Sequence, residues 1–325
     1  MAARGEVGLT TSQRTELLRQ MMLIRRFEER AGEMYMRGRV GGFLHLYIGE
    51  EAIAAGLMAT LERQDKVVTH YRDHGHALAR GIDTKAAMAE LYGKSTGLSK
   101  GKGGSMHFFD TSLGFMGGHA IVGGQIPLAV GFALAAKYRG DDSITVCFLG
   151  DGAVNQGEFH ESINLASLWK LPIVFLLENN GFGMGTRVER ACAQPEIYLL
   201  AEGHNMRAKR SGGMDVMEVY DAAREAVSYV RSGEGPYFLE LMTYRFRGHS
   251  MADPIEYRHR AEDEPWLAQD PISTLRDDLL KGEQFSQIDL DQMAEAIEVD
   301  VDEAMQFAEE SPFPPEEELY TDIYA

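Results

Sequence analysis

The sequence predicts an α/β protein built on a parallel β-sheet, with one long N-terminal helix and a helical C-terminal part. Two apolar runs of strand length, 144–149 and 171–177, are separated by a single helix-length segment. Such a βαβ unit places its two strands side by side and parallel in one sheet. A third apolar run, 236–244, follows a predicted helix near 215–231 and extends the same pattern.

Composition limits the class of protein. Of the 325 residues, 44% are hydrophobic and 25% are charged, which is typical of a globular chain with room for one large or two smaller domains. The net charge of −18 disfavours nucleic-acid binding. The sequence has no apolar run of about 18 residues, so we expect no membrane-spanning helix. Two cysteines and an N-terminus of mixed charge favour a reducing, cytoplasmic location.

The chain is expected to divide into three parts: an N-terminal helical segment 1–40, an α/β domain 41–275, and a helical C-terminal extension with a tail, 276–325. Apolar residues at helical spacing predict one helix over 10–38, with Thr10 to Ser12 as its N-cap. Further helices are expected at about 50–62 and 128–138. The pattern predicts a strand from Val67 that enters a polar loop, and loops over 100–107, 117–127, 186–210 and 255–270.

Oxygen-bearing side chains follow two of the predicted strands. Asp151, in Gly-Asp-Gly, comes after the first run, and Asn179-Asn180 comes after the second, with twenty-six residues between the two motifs. The carboxyl ends of neighbouring parallel strands meet at one edge of the sheet, where ligands of such folds bind. Carboxylate and amide oxygens suit Mg²⁺. The alternative is an ordinary βαβ unit with an Asp turn and an Asn turn.

Other polar residues have more than one interpretation. Arg72 is suited to bidentate contact with a phosphate. His70, His74 and His76 lack the spacing of a helical zinc site, so a metal site made by these three is not expected. His45, in a segment rich in glycine and aromatic residues, is either a core histidine or a functional one. The glycine-rich loop 100–107 is a weak phosphate signal, and it does not have the P-loop spacing.

Seven motifs occur together and in order: GFLHLYIGEEA, YRDHGHA, GKGGSMH, AIVGGQIP, GDGAVNQGEFHESINLASLWKLP, ENNGFGMGT and YRFRGHSMADP. Over about residues 15–275 the chain resembles the alpha subunit of the decarboxylating component of 2-oxo acid dehydrogenase complexes, of the pyruvate dehydrogenase type. The resemblance implies a three-layer α/β fold that binds thiamine diphosphate (TPP) and Mg²⁺.

The resemblance also implies a role for each matching residue. Asp151, Asn180 and the carbonyl of Phe182 would hold the metal. His249 would contact the cofactor and, together with His45, act in catalysis, with His249 lining the channel by which a lipoyl group arrives. The other residues implied to contact the cofactor or to line the substrate pocket are Tyr71, Arg72, Ala120, Val122, Gly152, Ala153 and, for the substrate pocket, Phe43 with His45.

The activity implied is decarboxylation of a 2-oxo acid and transfer of the acyl group to a lipoyl group on an acyltransferase partner. The family forms α₂β₂ heterotetramers, and the glutamate that activates the cofactor ring comes from the beta subunit. Asp151 and the IVGG before Gln125 favour pyruvate over branched-chain acids. Acetoin relatives tend to have histidine where Tyr71 stands, which favours pyruvate over acetoin. An acetoin dehydrogenase alpha subunit and a non-catalytic partner protein stay as alternatives.

Four positions extend or depart from the pattern. Ser250 matches a serine that mitochondrial relatives phosphorylate, whereas Arg187 and Glu256 occupy two other such positions, where no phosphate can be added. His119 stands where relatives often have asparagine, and the sequence offers no account of it.

Overall fold

The computed structural model describes residues 8–282 and 284–323. Its centre is a six-stranded, fully parallel sheet of order β2-β1-β3-β4-β8-β7, and β5 and β6 form a separate short hairpin. The strands are β1 Lys66–His70, β2 Phe115–His119, β3 Thr145–Gly150, β4 Ile173–Asn179, β5 Phe182–Gly183, β6 Thr186–Arg187, β7 Arg207–Gly212 and β8 Tyr237–Met242.

Twelve α-helices are present in the described part of the chain. They are α1 Thr11–Met36, α2 Glu51–Met58, α3 His74–Arg80, α4 Thr84–Leu91, α5 Gln125–Arg139, α6 Gly157–Leu168, α7 Val188–Ala191, α8 Tyr198–Glu202, α9 Val216–Arg231, α10 Arg260–Leu267, α11 Pro271–Lys281 and α12 Gln287–Glu310. None of the helices in these described segments is long and apolar enough to cross a membrane.

The sheet is buried on both faces. Alternate side chains of a strand point to opposite faces, so in β3 Val146 and Phe148 join one apolar core while Cys147 and Leu149 join another. The first core includes residues of α1, α2 and α9, and the second includes residues of α5 and α6. The protein is therefore a three-layer α/β structure, which confirms the expected fold class.

The long N-terminal helix is confirmed. It begins after Thr10, whose hydroxyl accepts from the backbone of Gln13 while the Gln13 side chain accepts from the backbone of Thr10, so this helix end has a capping box. The C-terminal extension is also helical. It packs against the N-terminal helix through ion pairs of Arg26 and Arg30 with Glu298. The division of the chain at residues 40 and 275 stays a prediction. The helix α11 begins at residue 271 and therefore crosses the second of these boundaries.

Several local expectations were wrong. The helix predicted over 50–62 ends at Met58, where the Thr60 hydroxyl donates to the carbonyl of Leu57. The polar loop expected after β1 is instead the start of α3 at His74. Short helices and a strand lie within 186–210, and α10 lies within 255–270. The edge strand β7 has no fully buried residue, so it has no apolar run for the sequence to show.

The strand β2 was also missed, because two of its residues are the glycines of an apparent flexible loop. A Cβ at Gly117 would lie 2.0 Å from the Phe109 ring, and one at Gly118 would lie 1.9 Å from the Asp73 carboxylate. These glycines therefore permit close packing of a strand. Both cysteines are free and buried.

Candidate active site

A cavity of about 790 Å³ opens at the carboxyl ends of β1, β3, β4 and β8. This is the edge at which parallel α/β sheets bind ligands. The structure brings all twelve residues that the sequence assigned to the site into the wall of this one cavity. They are Phe43, His45, Tyr71, Arg72, Ala120, Val122, Asp151, Gly152, Ala153, Asn180, Phe182 and His249.

Asp151 and Asn180 occupy one corner of the cavity. Gly150 of β3 pairs with Glu178 of β4, so the two residues follow adjacent strand ends. Both are buried, and burial raises the pKa of Asp151 to about 7. The Asn180 Nδ2 donates to Glu50 Oε1 at 3.0 Å, and the Asn180 Oδ1 accepts from the backbone N–H of Phe182 at 3.4 Å. This corner presents oxygen atoms of the kind that bind a hard cation.

Arg72 joins two loops of the cavity wall. Its guanidinium donates to the carbonyl of Leu46 at 2.7 Å and to the carbonyl of His249 at 2.8 Å. The Nε atom lies 3.7 Å from Glu50 Oε2. Burial, followed by the charge of Arg245, lowers the pKa of Arg72. Arg72 therefore fixes the segments that carry His45 and His249, in addition to bringing a positive charge to the cavity.

Three rings, of His45, Tyr71 and His249, pack together in the cavity wall. The ring centroids of His45 and His249 are 5.2 Å apart, and that of Tyr71 lies 4.7 Å from His45 and 5.7 Å from His249. Burial, and then the charge of Arg72, lowers the pKa of His45 to about 2 and that of His249 to about 4. Both imidazoles are therefore neutral at pH 7. The Nδ1 atom of each is buried and has no hydrogen-bond partner within the described residues.

A hydrogen-bond network centred on Glu178 forms the base of the cavity. The ligand atoms of His70, His76 and Glu178 lie within 4.8 Å of one another, as in a metal site. His70 Nε2 lies 2.6 Å and His76 Nε2 lies 2.9 Å from the carboxylate, which also accepts from the Tyr47 hydroxyl. The Nδ1 of His70 accepts from the backbone N–H of Arg72 at 3.1 Å.

That last contact decides between a metal site and a hydrogen-bond network. Because Nδ1 of His70 must carry a lone pair, the proton of the neutral ring is on Nε2, which therefore donates to Glu178. A metal on Nε2 would require Nδ1 to carry the proton and to face an N–H group. The expectation that these histidines form no metal site stays a prediction, which the hydrogen bond to His70 Nδ1 supports. His74 lies elsewhere, paired with Glu28.

The glycine-rich loop 100–107 has a structural role. The buried Glu90 carboxylate accepts from the backbone N–H groups of Ser99, Gly101, Gly103 and Gly104 at 2.7–3.0 Å. An acid therefore already occupies the nest of N–H groups that a phosphate would need. The weak phosphate signal read from this loop was wrong.

Several polar residues of the wall were not assigned to the site from the sequence, among them Glu50, Gln125 and Arg245. The Glu50 side chain lies 130 residues before its partner Asn180, and no local pattern links the two. Arg245 is buried, and within the described residues no carboxylate lies within 4.0 Å of its guanidinium. Its place directly after the third apolar run was the one available signal, because strand ends carry the site.

The fold and the cavity define an α/β protein with its ligand site at the carboxyl edge of a parallel sheet. Residues 19–317 match the family described as the dehydrogenase E1 component. The chain belongs to that family, as its ordered motifs had indicated.

The names of similar proteins agree with this family assignment. The chain is 49% identical over 310 residues to the pyruvate dehydrogenase E1 component subunit alpha of Zymomonas mobilis, covering 95% of this chain and 87% of the relative. It is 46% identical over 306 residues to the protein of the same name from Rickettsia bellii, covering 94% of each chain. The protein of that name from Rhizobium meliloti is 47% identical over 306 residues, covering 94% of this chain and 88% of the relative.

Proposed function

We propose that the chain is the alpha subunit of a pyruvate dehydrogenase-type E1 component that binds TPP through Mg²⁺. The observation on which this proposal rests is that the buried residues Asp151, Asn180 and Arg72 line the same cavity. The names of the relatives support pyruvate as the substrate and do not favour the acetoin alternative. A non-catalytic role is disfavoured because the side-chain oxygens of Asp151 and Asn180 and the buried guanidinium of Arg72 are all present in one cavity.

The donor set fits a metal-bound diphosphate. Asp151 and Asn180 would supply two oxygen ligands, and the carbonyl of Phe182 a third, which matches the preference of Mg²⁺ for oxygen. Arg72 would bring the compensating positive charge, and Tyr71 lies next to it. The backbone N–H groups of Gly152 and Ala153 follow Asp151 in the same turn.

TPP, when bound, supplies the electron sink that makes decarboxylation of a 2-oxo acid possible. The residues of this chain would bind the cofactor and the 2-oxo acid, orient them and shield them from water. His45 and His249 are neutral at pH 7, so each can donate a ring N–H to a developing negative charge on the substrate. Their packing against Tyr71 fixes the rings before substrate arrives. Phe43 lies at the mouth, 60% exposed, where it can cover the entering acid.

The residues at the mouth of the cavity support the proposal that a partner subunit binds there. Exposed apolar side chains surround it, among them Phe43, Val122 and Met184, with Ile121 beside them. Exposed apolar groups that border a site are typical of protein interfaces. We assign no acid of this chain to activation of the cofactor ring, and we infer a beta subunit that supplies it, in an α₂β₂ assembly. A lipoyl group of an acyltransferase would reach His249 through the same mouth. The cytoplasmic location is part of this proposal.

The metal corner can be tested by replacing Asp151 with alanine. In the complex with a co-expressed beta subunit, calorimetric titration with TPP and Mg²⁺ should give saturable binding for the parent protein and none for the variant. Glu158→Ala, an exposed substitution at the start of α6, is the control and should bind as the parent does. Tight, metal-dependent TPP binding by folded Asp151→Ala protein would refute the assignment.

Substrate class needs a separate measurement. Release of CO₂ from pyruvate by the parent complex, measured with an artificial electron acceptor, should exceed turnover of acetoin and of branched-chain 2-oxo acids. A preference for acetoin would move the chain to the alternative function and leave the metal corner unchanged.

A further inference from the structure

We propose that Glu50 is a positioning residue of the cofactor site, which orients the amide of Asn180. Glu50 precedes α2 and is 1% exposed, and its carboxylate lies in the cavity wall. The proposal rests on the proposed function, since that function makes Asn180 a metal ligand.

The first step concerns the two ends of the Asn180 amide. Only the oxygen end can bind a cation, because the nitrogen end carries two hydrogens and no lone pair to offer. An ionised carboxylate accepts hydrogen bonds and cannot donate them. The nitrogen end of Asn180 faces Glu50, with Nδ2 donating to Oε1 at 3.0 Å, and this turns Oδ1 away from Glu50.

A second contact supports this orientation. The backbone N–H of Phe182 lies 3.4 Å from Asn180 Oδ1, and an N–H group must face an oxygen. At 3.4 Å this hydrogen bond is long and weak. The contact with Glu50, at 3.0 Å, is the shorter of the two, so it contributes most to the orientation.

The third observation concerns the other oxygen of Glu50. Oε2 is buried and has no hydrogen-bond partner in residues 8–282 and 284–323. It lies 3.7 Å from the Nε of Arg72, whose other contacts are to neutral carbonyl groups. Within the described chain this is the one carboxylate within 4.0 Å of that buried guanidinium. Glu50 thus links the residue that would hold the metal to the cation that would face the diphosphate.

The chain contains a matched comparison. Asn179, the neighbour of Asn180, donates through its Nδ2 to the buried Glu240 at 2.6 Å. The second oxygen of Glu240 accepts from the backbone N–H of Tyr198 at 3.0 Å, and Glu240 is not part of the cavity wall. The same pair of side chains therefore occurs once at the cavity and once away from it.

The experiment measures the Mg²⁺ concentration that half-saturates TPP binding to the complex with the beta subunit, by calorimetry at fixed TPP. Glu50→Met keeps the shape of the side chain and removes both acceptors. It should raise that concentration by about 10- to 100-fold, the usual effect of losing a group that orients a metal ligand. Glu50→Gln keeps an acceptor for Asn180 and should recover most of the affinity. Glu240→Gln should leave the Mg²⁺ dependence unchanged.

An unchanged Mg²⁺ dependence in Glu50→Met, or an equal loss in Glu50→Gln and Glu50→Met, would overturn the proposal. The second result would mean that the charge of Glu50, and not the orientation of the Asn180 amide, determines Mg²⁺ binding.

Asn180→Asp gives an independent test if Glu50→Met fails to fold. Both ends of an aspartate carboxylate are oxygens, so it needs no orienting partner. It would, however, face the Glu50 carboxylate, and the repulsion between the two acids should make the single variant bind Mg²⁺ weakly. Adding Glu50→Gln should restore binding, because the new amide can donate to the aspartate. A single variant as good as the double variant would refute the proposal. Loss of binding in Asp151→Ala together with an unaffected Glu50→Met would reject this inference alone, whereas retained binding in Asp151→Ala would reject the function.

Discussion

Replacing Glu28 with alanine should strongly destabilise the protein, although Glu28 lies outside the cavity. Its carboxylate is fully buried in α1 and accepts from the backbone N–H of Tyr47 at 2.9 Å and from His74 Nδ1 at 3.0 Å. Burial alone would lower the pKa of His74, but the Glu28 carboxylate outweighs it and raises that pKa. The two residues therefore form a buried ion pair.

The magnitude follows from these contacts. Glu28→Ala removes two hydrogen bonds to a charged acceptor, each contributing about 1.5–3 kcal/mol. It also leaves a buried imidazole and a buried N–H group without partners. Breaking one side of a buried ion pair costs about 3–5 kcal/mol, which agrees with that sum. With a urea m-value of about 3 kcal/mol per M, the unfolding midpoint should fall by about 1 M or more.

The assay is urea unfolding followed by circular dichroism at pH 6 and at pH 9. His74 has a folded-state pKa above its unfolded value, so its contribution is complete below the unfolded pKa of about 6.5 and is lost as pH rises through the folded pKa. The stability lost in Glu28→Ala should therefore be larger at pH 6 than at pH 9. Glu28→Gln should lose the same pH-dependent part while it keeps an acceptor for Tyr47.

Glu29→Ala is the matched control on the same helix. Glu29 pairs with Arg26 at 3.2 Å on the surface, and such pairs contribute about 0–1 kcal/mol. A loss in Glu28→Ala no larger than that of the control, or equal at both pH values, would refute the account of a buried ion pair.

Two further predictions concern residues outside the cavity wall. Gly101→Ala should destabilise the glycine-rich loop, because Gly101 has φ +75° and a Cβ there would lie 2.4 Å from the Gly93 backbone; faster proteolysis within 93–107 would show it, and an unchanged cleavage rate would contradict it. Asp73→Asn should flatten the pH dependence of stability. Burial raises the pKa of Asp73 to about 7, so the unfolded chain loses its proton first and stability falls as pH rises from about 4 to 7. Urea midpoints across that range test this, and parallel curves for both proteins would exclude it.

Local sequence determined the parts of the site that follow strongly apolar strands. Asp151 and Asn180 come directly after β3 and β4, and right-handed crossover leaves no other place for them than one edge of the sheet. The ordered motifs then located ten further wall residues through resemblance. The same reasoning failed for β2 and β7, because a glycine-containing strand and an exposed edge strand have no apolar run.

Only the tertiary structure decided which partner each buried polar group meets. Glu50 and Asn180 are 130 residues apart, and Tyr47 and Glu178 are 131 apart, so no local spacing links them. His70 illustrates the same point, since its tautomer depends on a backbone N–H two residues away and a carboxylate 108 residues away. A buried polar group needs a partner, and the fold chooses it, because many distant segments could supply one. The sequence alone therefore placed Asp151 and Asn180 at the sheet edge, and folding decided how their side chains are oriented.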